Sequence, residues 1–210
     1  RADISIPGVQ EELVQALLDT GKPVVVVLMN GRPLTISKLT EQVPAIVEGW
    51  FLGTETGNAI ADVLLGKYNP SGKLTMSFPR NVGQIPVFYN YRQSGRPGTD
   101  KLTKWTNRFI DSPVSPLYPF GYGLSYTTFS YSAPRVSQKE FSTNEILKVS
   151  VDVTNTGQYD GEETIQLYIR DVIASVTRPV KELKGFKKIF LRKGETRTVG
   201  FELRAEDLSF

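Results

Sequence analysis

The chain has 210 residues, 40% of them hydrophobic, with 25 Lys and Arg against 22 Asp and Glu for a net charge of +3. That length suits one large domain or two ordinary ones, and the balanced charge does not point to nucleic acid or another polyanion as a partner. Cysteine and histidine are absent, which excludes disulfides, thiol catalysis, imidazole bases and the usual zinc sites; acid–base chemistry falls to Asp, Glu, Lys or Tyr.

Arg1-Ala2-Asp3 is polar and leads straight into folded-looking sequence, so a mature or truncated product is expected. Val9, Leu13, Ala16 and Leu17 recur at helical spacing, with Gly21 and Pro23 as the stop. "PVVVVLMNG" follows, and its β-branched run predicts a strand covered on both faces, as in a parallel sheet. The run from Val24 to Met29 is too short to cross a bilayer, so no membrane insertion is expected. "AIVEGWF" predicts a second strand, "NAIADVLLG" a short helix closed by Gly66, and "KLTMSFP" a third strand closed by Pro79. Strand–helix–strand order with short connections means an α/β layered domain.

From Arg80 to Pro116 the rhythm fails: Gly, Pro, Arg and aromatic residues are frequent and no period persists. A loop of this length is functional or a linker. After Phe120 strict alternation takes over. Leu147, Val149, Val151 and Val153 face one way, and Lys148, Ser150, Asp152 and Thr154 the other. Asn155-Thr156-Gly157 turns the chain, and the period returns at Ile165, Leu167 and Ile169 and at Val199, Phe201 and Leu203. This predicts an antiparallel β-sandwich. The fold class is therefore α/β plus all-β.

Three features compete as sites. Glu55, between Gly53 and Gly57 at the start of a helix, is either a functional carboxylate at a strand-to-helix junction or a complement to the helix dipole. "GTETGN" lacks the Gly-Lys-Ser/Thr continuation of a phosphate loop. The stretch "YNYRQSGRPGTDKLTKWTNRF" sets Tyr89, Tyr91, Arg92, Arg96, Trp105, Arg108 and Phe109 together. Flat rings and multidentate donors are what a sugar needs, and the same residues would also serve an interdomain strap. The basic cluster Lys181, Lys184, Lys187, Lys188, Arg192 and Lys193 is interspersed with Glu182 and Glu195, as on a solvated sheet face.

The stretches "GKPVVVVLMNGRPL", "GTETGNAIADVLLGKYNPSGKLTMSFPRNVGQIPVFYN", "LYPFGYGLSYTTF", "VTNTG" and "RPVKELKGF", in that order, resemble the C-terminal portion of glycoside hydrolase family 3, and most of all its bacterial periplasmic β-glucosidase branch. The resemblance covers essentially the whole chain, and "NPSGKL…SFPR", "PFGYGLSY" and "KGF" together are specific to the family. It implies the C-terminal part of an α/β/α sandwich over residues 1–80, an interdomain linker over 81–120 and a fibronectin type III-like β-sandwich over 121–210. An N-terminal (β/α)8-like barrel and the start of the sandwich would belong to the same protein.

The resemblance also implies a retaining, exo-acting β-glucosidase that works with two carboxylates. The nucleophilic Asp belongs to the barrel, and the acid/base Glu to a loop just before the segment matching "RADISIPG". Glu11, Glu12, Glu41, Glu48 and Glu55 do not match that position, so no catalytic residue is expected in this chain. Retention needs the two carboxyl groups only ~5 Å apart, a geometry that takes both domains. The chain therefore reads as an enzyme's fragment and is expected to be inactive alone. Arg96, Trp105 and Arg108 are expected near the pocket entrance, on the leaving-group side, facing an oligosaccharide or other β-glucoside. No metal or organic cofactor is implied, nor a nucleic-acid partner, and the location implied is periplasmic or secreted. The rival readings are a non-catalytic carbohydrate-binding or adhesion module and a structural spacer. A strand as apolar as Val24–Met29 wants neighbours, so residues 1 to about 80 are expected to lean on the preceding part of the protein, whereas the region from about Leu117 should fold alone.

Overall fold

A computed structural model describes residues 2–100 and 106–209. Contacts divide the chain into two compact units, one of residues 1–64 and 74–122, the other of 65–73 and 123–210.

In the first unit, helix α1 spans Gln10–Leu18, with Glu11 and Glu12 in its first turn, where the helix dipole favours them. Gly21, at φ 70, ends the turn that follows. Val9, Leu13 and Leu17, which supply the helical spacing, are exposed; Val14 and Leu18 pack into the core instead. The helix carries apolar residues on two sides, and this unit covers one of them.

Strands β1 (Val25–Leu28) and β2 (Ala45–Glu48) pair in parallel, Val25 opposite Ala45 and Leu28 opposite Glu48. The expected parallel pairing is present, but double-sided cover is not: Val25 and Met29 remain about half exposed. Between the strands lies helix α2 (Ser37–Gln42), which the sequence pattern did not announce. Six residues with Leu39 as the one buried side chain carry too little period. Helix α3 (Thr56–Leu64) matches the expected short helix, and Gly66 follows at φ 71. "KLTMSFP" is not a laddered strand; Phe78 forms one isolated antiparallel bridge with Tyr118. Leu28, Ile36, Leu39, Val43 and Phe78 form the core, and Trp50, Leu74, Leu117 and Tyr118 pack around it.

The described residues of 81–120, expected as a linker, all lie within this unit. Gln84 is buried; its amide donates to the carbonyls of Pro113 (2.7 Å) and Ser115 (3.1 Å) and accepts from Arg80 N (2.7 Å). Asp100 accepts from the amides of Val114 and Ser115. Side chains thus satisfy the backbone that a ladder would otherwise satisfy, a solution that leaves no hydrophobic period to read.

In the second unit, strand β5 (Leu147–Asn155) lies between β8 (Thr196–Leu203) on one edge and, on the other, β3 (Phe129–Tyr131) and β4 (Arg135–Val136), all antiparallel to it. Strands β6 (Gly161–Ile169) and β7 (Glu182–Leu191) form a second antiparallel pair with a bulge at Leu167/Tyr168. A short helix, α4 (Ala205–Leu208), ends the described chain. Val153, Ile165, Val199 and Phe201 form the core, as the alternation predicts, joined by Leu191, which the alternation did not name. The turn after β5 is tied by Asn155, fully buried, whose amide donates to Tyr159 O and Leu191 O and accepts from Thr127 Oγ1.

This unit does not consist of the C-terminal region alone. Residues 65–73 belong to it: the Asn69 side chain bonds Asp160 O, Ser125 Oγ and Tyr126 N. Gly123 passes so close to Gly72 O that no side chain would fit there. The expected independence of the region from Leu117 onward gives way to a sandwich completed by an earlier segment.

Candidate functional site

The C-terminal ends of parallel strands are where open α/β sheets place their ligands. Here those ends carry Asn30, after β1, and Glu48, the last residue of β2. Glu48 Oε1 accepts the Trp50 amide at 2.9 Å, and Asn30 Nδ2 donates to Arg32 O at 2.6 Å. Trp50 stands at φ 51, the one non-glycine residue with positive φ among the described residues. A bulky residue there is strained, and such strain clusters at functional sites. Burial raises the proton affinity of Glu48, partly opposed by the bonds from Trp50 N–H and Asn30. Beyond the turn, the Trp50 ring packs on Phe78 at 5.8 Å, and the Phe51 ring lies over Gly31, where an added Cβ would have to displace it.

Beside these turns a cleft of about 420 Å³ opens between Ile4, Arg32, the Thr75–Pro79 stretch and residues Phe88, Tyr89, Asn90 and Phe120. Tyr89 stacks on Phe120 at 4.2 Å, and Phe88 is 62% exposed at the rim. Aromatic faces beside an amide and a guanidinium can hold a sugar by its C–H faces and hydroxyls.

Of the sequence-derived site residues, Trp105 lies outside the described residues. Arg96 is exposed and Arg108 half-buried. The Asn107 amide donates to Arg96 O at 3.2 Å, and Asn107 Nδ2 to Ser94 Oγ at 3.1 Å, so the two arms of the loop are tied together. That tie brings the backbones at 96 and 107–108 together, but neither arginine lines the cleft. Asp100, whose carboxyl is held below its usual range by hydrogen bonds from Ser115 first of all, anchors the returning arm.

Glu55 precedes α3 and accepts from the Asn58 side chain within the first turn, an arrangement that serves the helix start. Within the basic cluster, Lys184 meets Glu182 at 3.4 Å, Lys188 meets Glu162 at 3.7 Å, and Lys181 lies over the Tyr168 ring. Sequence reasoning passed over Asn30, Glu48 and Trp50. The available signal was an acid closing an apolar strand in "AIVEGW".

Comparison with known proteins supplies a context for this geometry. The family model described as the glycosyl hydrolase family 3 C-terminal domain matches residues 1–126, and that of the fibronectin type III-like domain matches residues 163–210. A periplasmic beta-glucosidase of Salmonella typhimurium is 55% identical over 100% of this chain, which covers 28% of that protein. A beta-xylosidase of Formosa agariphila is 51% identical, with the same coverage of each. The crystal structure of the beta-glucosidase from Listeria innocua in complex with isofagomine superposes with a TM-score of 0.93 at 47% identity, over 99% of this chain and 29% of that one. The chain thus spans under a third of the length of the relatives it matches.

Proposed function

The chain belongs to glycoside hydrolase family 3, and from that premise we propose that it is the C-terminal part of a retaining, exo-acting β-glucosidase that removes terminal, non-reducing β-D-glucosyl residues. The observation that carries this reading is the end-to-end superposition on a beta-glucosidase of which this fold makes up 29%. The nucleophile and the acid/base Glu lie in other parts of the protein, the barrel and the first part of the α/β sandwich, and this chain contributes the remainder of that sandwich and the fibronectin-like module. In this reading the first unit belongs to the sandwich and the second is the module. The protein works in the periplasm or is secreted, a reading supported by the name of the Salmonella relative.

Arg96 and Arg108 stand on the leaving-group side of the pocket and meet the sugar beyond the scissile bond. The support is the tie between Arg96 and Asn107, which brings the two arms of the loop together, and the chemistry of guanidinium and aromatic groups toward hydroxyls and C–H faces. The test is turnover of an aryl β-glucoside by the intact protein and by the 210-residue chain. The intact protein hydrolyses it and the isolated chain stays at the buffer blank. Turnover that copurifies with the isolated chain through two separate columns overturns the assignment.

A further inference from the structure

Directly opposed residues of an antiparallel pair point to the same face of their sheet. Tyr131 stands opposite Val153 and Val136 opposite Val149, and both of those partners are buried. Tyr131 and Val136 therefore point into the sandwich, yet they are 47% and 54% exposed. Inward side chains that stay half-open have no wall across from them.

The strand layout shows where that wall is missing. Strand β7 lies over β8, and the Tyr131 hydroxyl donates to Glu163 at 2.7 Å, which sets β3 over β6. One sheet is three strands wide, with β8, β5 and an outer edge shared by β3 and β4. The other consists of β6 and β7 alone, and among the described residues no strand runs along the second edge of β6. A two-stranded sheet is marginal in water, and a third strand is what gives it stability.

The edge of β6 is also built to be paired. Sheets guard edges that face water with Lys, Pro, short strands or inward charges. The β3–β4 edge is guarded in this way, broken into two short strands around Pro134. By contrast β6 runs for nine residues, GEETIQLYI, with neither Lys nor Pro. Its inward charge, Glu163, sits near one end and is already engaged by Lys73.

We propose that a further strand, from a part of the same polypeptide outside residues 1–210, pairs antiparallel with the second edge of β6 and closes the sandwich over Tyr131 and Val136. The relatives leave ample chain for it, since these residues cover 28% of the Salmonella beta-glucosidase and 29% of the Listeria one. The added strand turns apolar side chains toward Tyr131 and Val136 at every second position and polar ones outward. The closure depends on the chain being part of a longer protein, not on what that protein hydrolyses.

The test uses the intact protein. Val136→photo-leucine places a diazirine at the uncovered spot. On irradiation it should insert into a peptide of the same molecule outside residues 1–210, which mass spectrometry identifies. Insertion confined to residues 1–210 or to water overturns the proposal. A cross-link between two molecules overturns it as well and assigns the edge to a second copy. Residue-resolved hydrogen exchange on the wild type needs no variant to fold. Every amide of β6 should exchange at least about tenfold below its intrinsic rate, the effect of one hydrogen bond. Alternate β6 amides at the intrinsic rate, as on an edge strand, would overturn the proposal. Neither readout involves turnover, so the strand and the glycosidase assignment fail separately.

Discussion

Lys73 Nζ lies 3.0 Å from Glu163 Oε2, with side chains only 15% and 9% exposed. The contact is ionic rather than a hydrogen bond, since Oε2 has no bond in line, while Oε1 accepts the Tyr131 hydroxyl at 2.7 Å. Burial and the neighbouring carboxylate hold the Tyr131 phenol well above its usual pKa, so it remains a donor. Lys73→Met leaves a buried carboxylate without its counter-charge and should destabilise the second unit by about 3–5 kcal/mol. A K73M/E163Q double variant removes the charge as well and should recover part of that loss. Guanidinium unfolding measures both, and equal stability of wild type and K73M would contradict the pairing.

Asn69 fastens residues 65–73 to the sandwich with three bonds, to Asp160 O at 2.9 Å and to Ser125 Oγ and Tyr126 N at 2.8 Å each. Asn69→Ala should cost about 2–3 kcal/mol, near 1 kcal/mol for each bond removed. A chain of residues 123–210 should be protease-labile without 65–73, and protected when that segment is joined back to it. Equal protection of the two under limited proteolysis would show that the segment is dispensable.

Acid should weaken the sheet around β5. The Arg135 guanidinium grips Asp152 with two bonds, 2.7 and 2.8 Å, and with Thr198 holds its carboxyl well below the usual range. A depressed folded pKa gives stability that is present above the unfolded value and lost as pH falls toward the folded one. The thermal midpoint should therefore drop on acidification, and Asp152→Asn should flatten that drop. An Asp152→Asn curve parallel to wild type would assign the acid sensitivity to other carboxylates.

These interactions mark the boundary of what could be read in advance. The inward residues of β5, β6 and β8 were legible because burial imposes a period on apolar side chains, and β1–β2 by its β-branched run; helix α1 was read from Val9, Leu13 and Leu17, which stay exposed. Helix α2 was too short to show one. Gln84 and Asp100 fold the 81–120 stretch by side-chain bonds to distant carbonyls and amides, a pattern with no sequence period. The role of 65–73 rests on Asn69 and Lys73, whose partners lie roughly fifty to ninety residues away along the chain. Arg96 and Arg108 were singled out by residue type, and neither lines the cleft. Glu48 and Asn30 were not legible, because eighteen positions separate them and only strand pairing unites them.

Arg96→Ala and Arg108→Ala, made in the intact protein, should each raise KM for oligosaccharides about five- to tenfold, the scale of removing one hydrogen bond to the sugar. KM for small aryl glycosides should hardly move, since these substrates lack the sugar that the loop would meet. Equal KM changes for both substrate kinds, or none for either, would return the loop to a structural strap.

If this chain completes a retaining glycosidase without supplying its nucleophile, the covalent intermediate must form on another part of the protein. A 2-deoxy-2-fluoro-glucoside with a good leaving group traps the covalent glycosyl-enzyme of a retaining mechanism, and peptide mass spectrometry of the intact, inactivated protein locates the label. Stoichiometric labelling of a carboxylate outside residues 1–210 is expected. A label on any Asp or Glu within these 210 residues would contradict it.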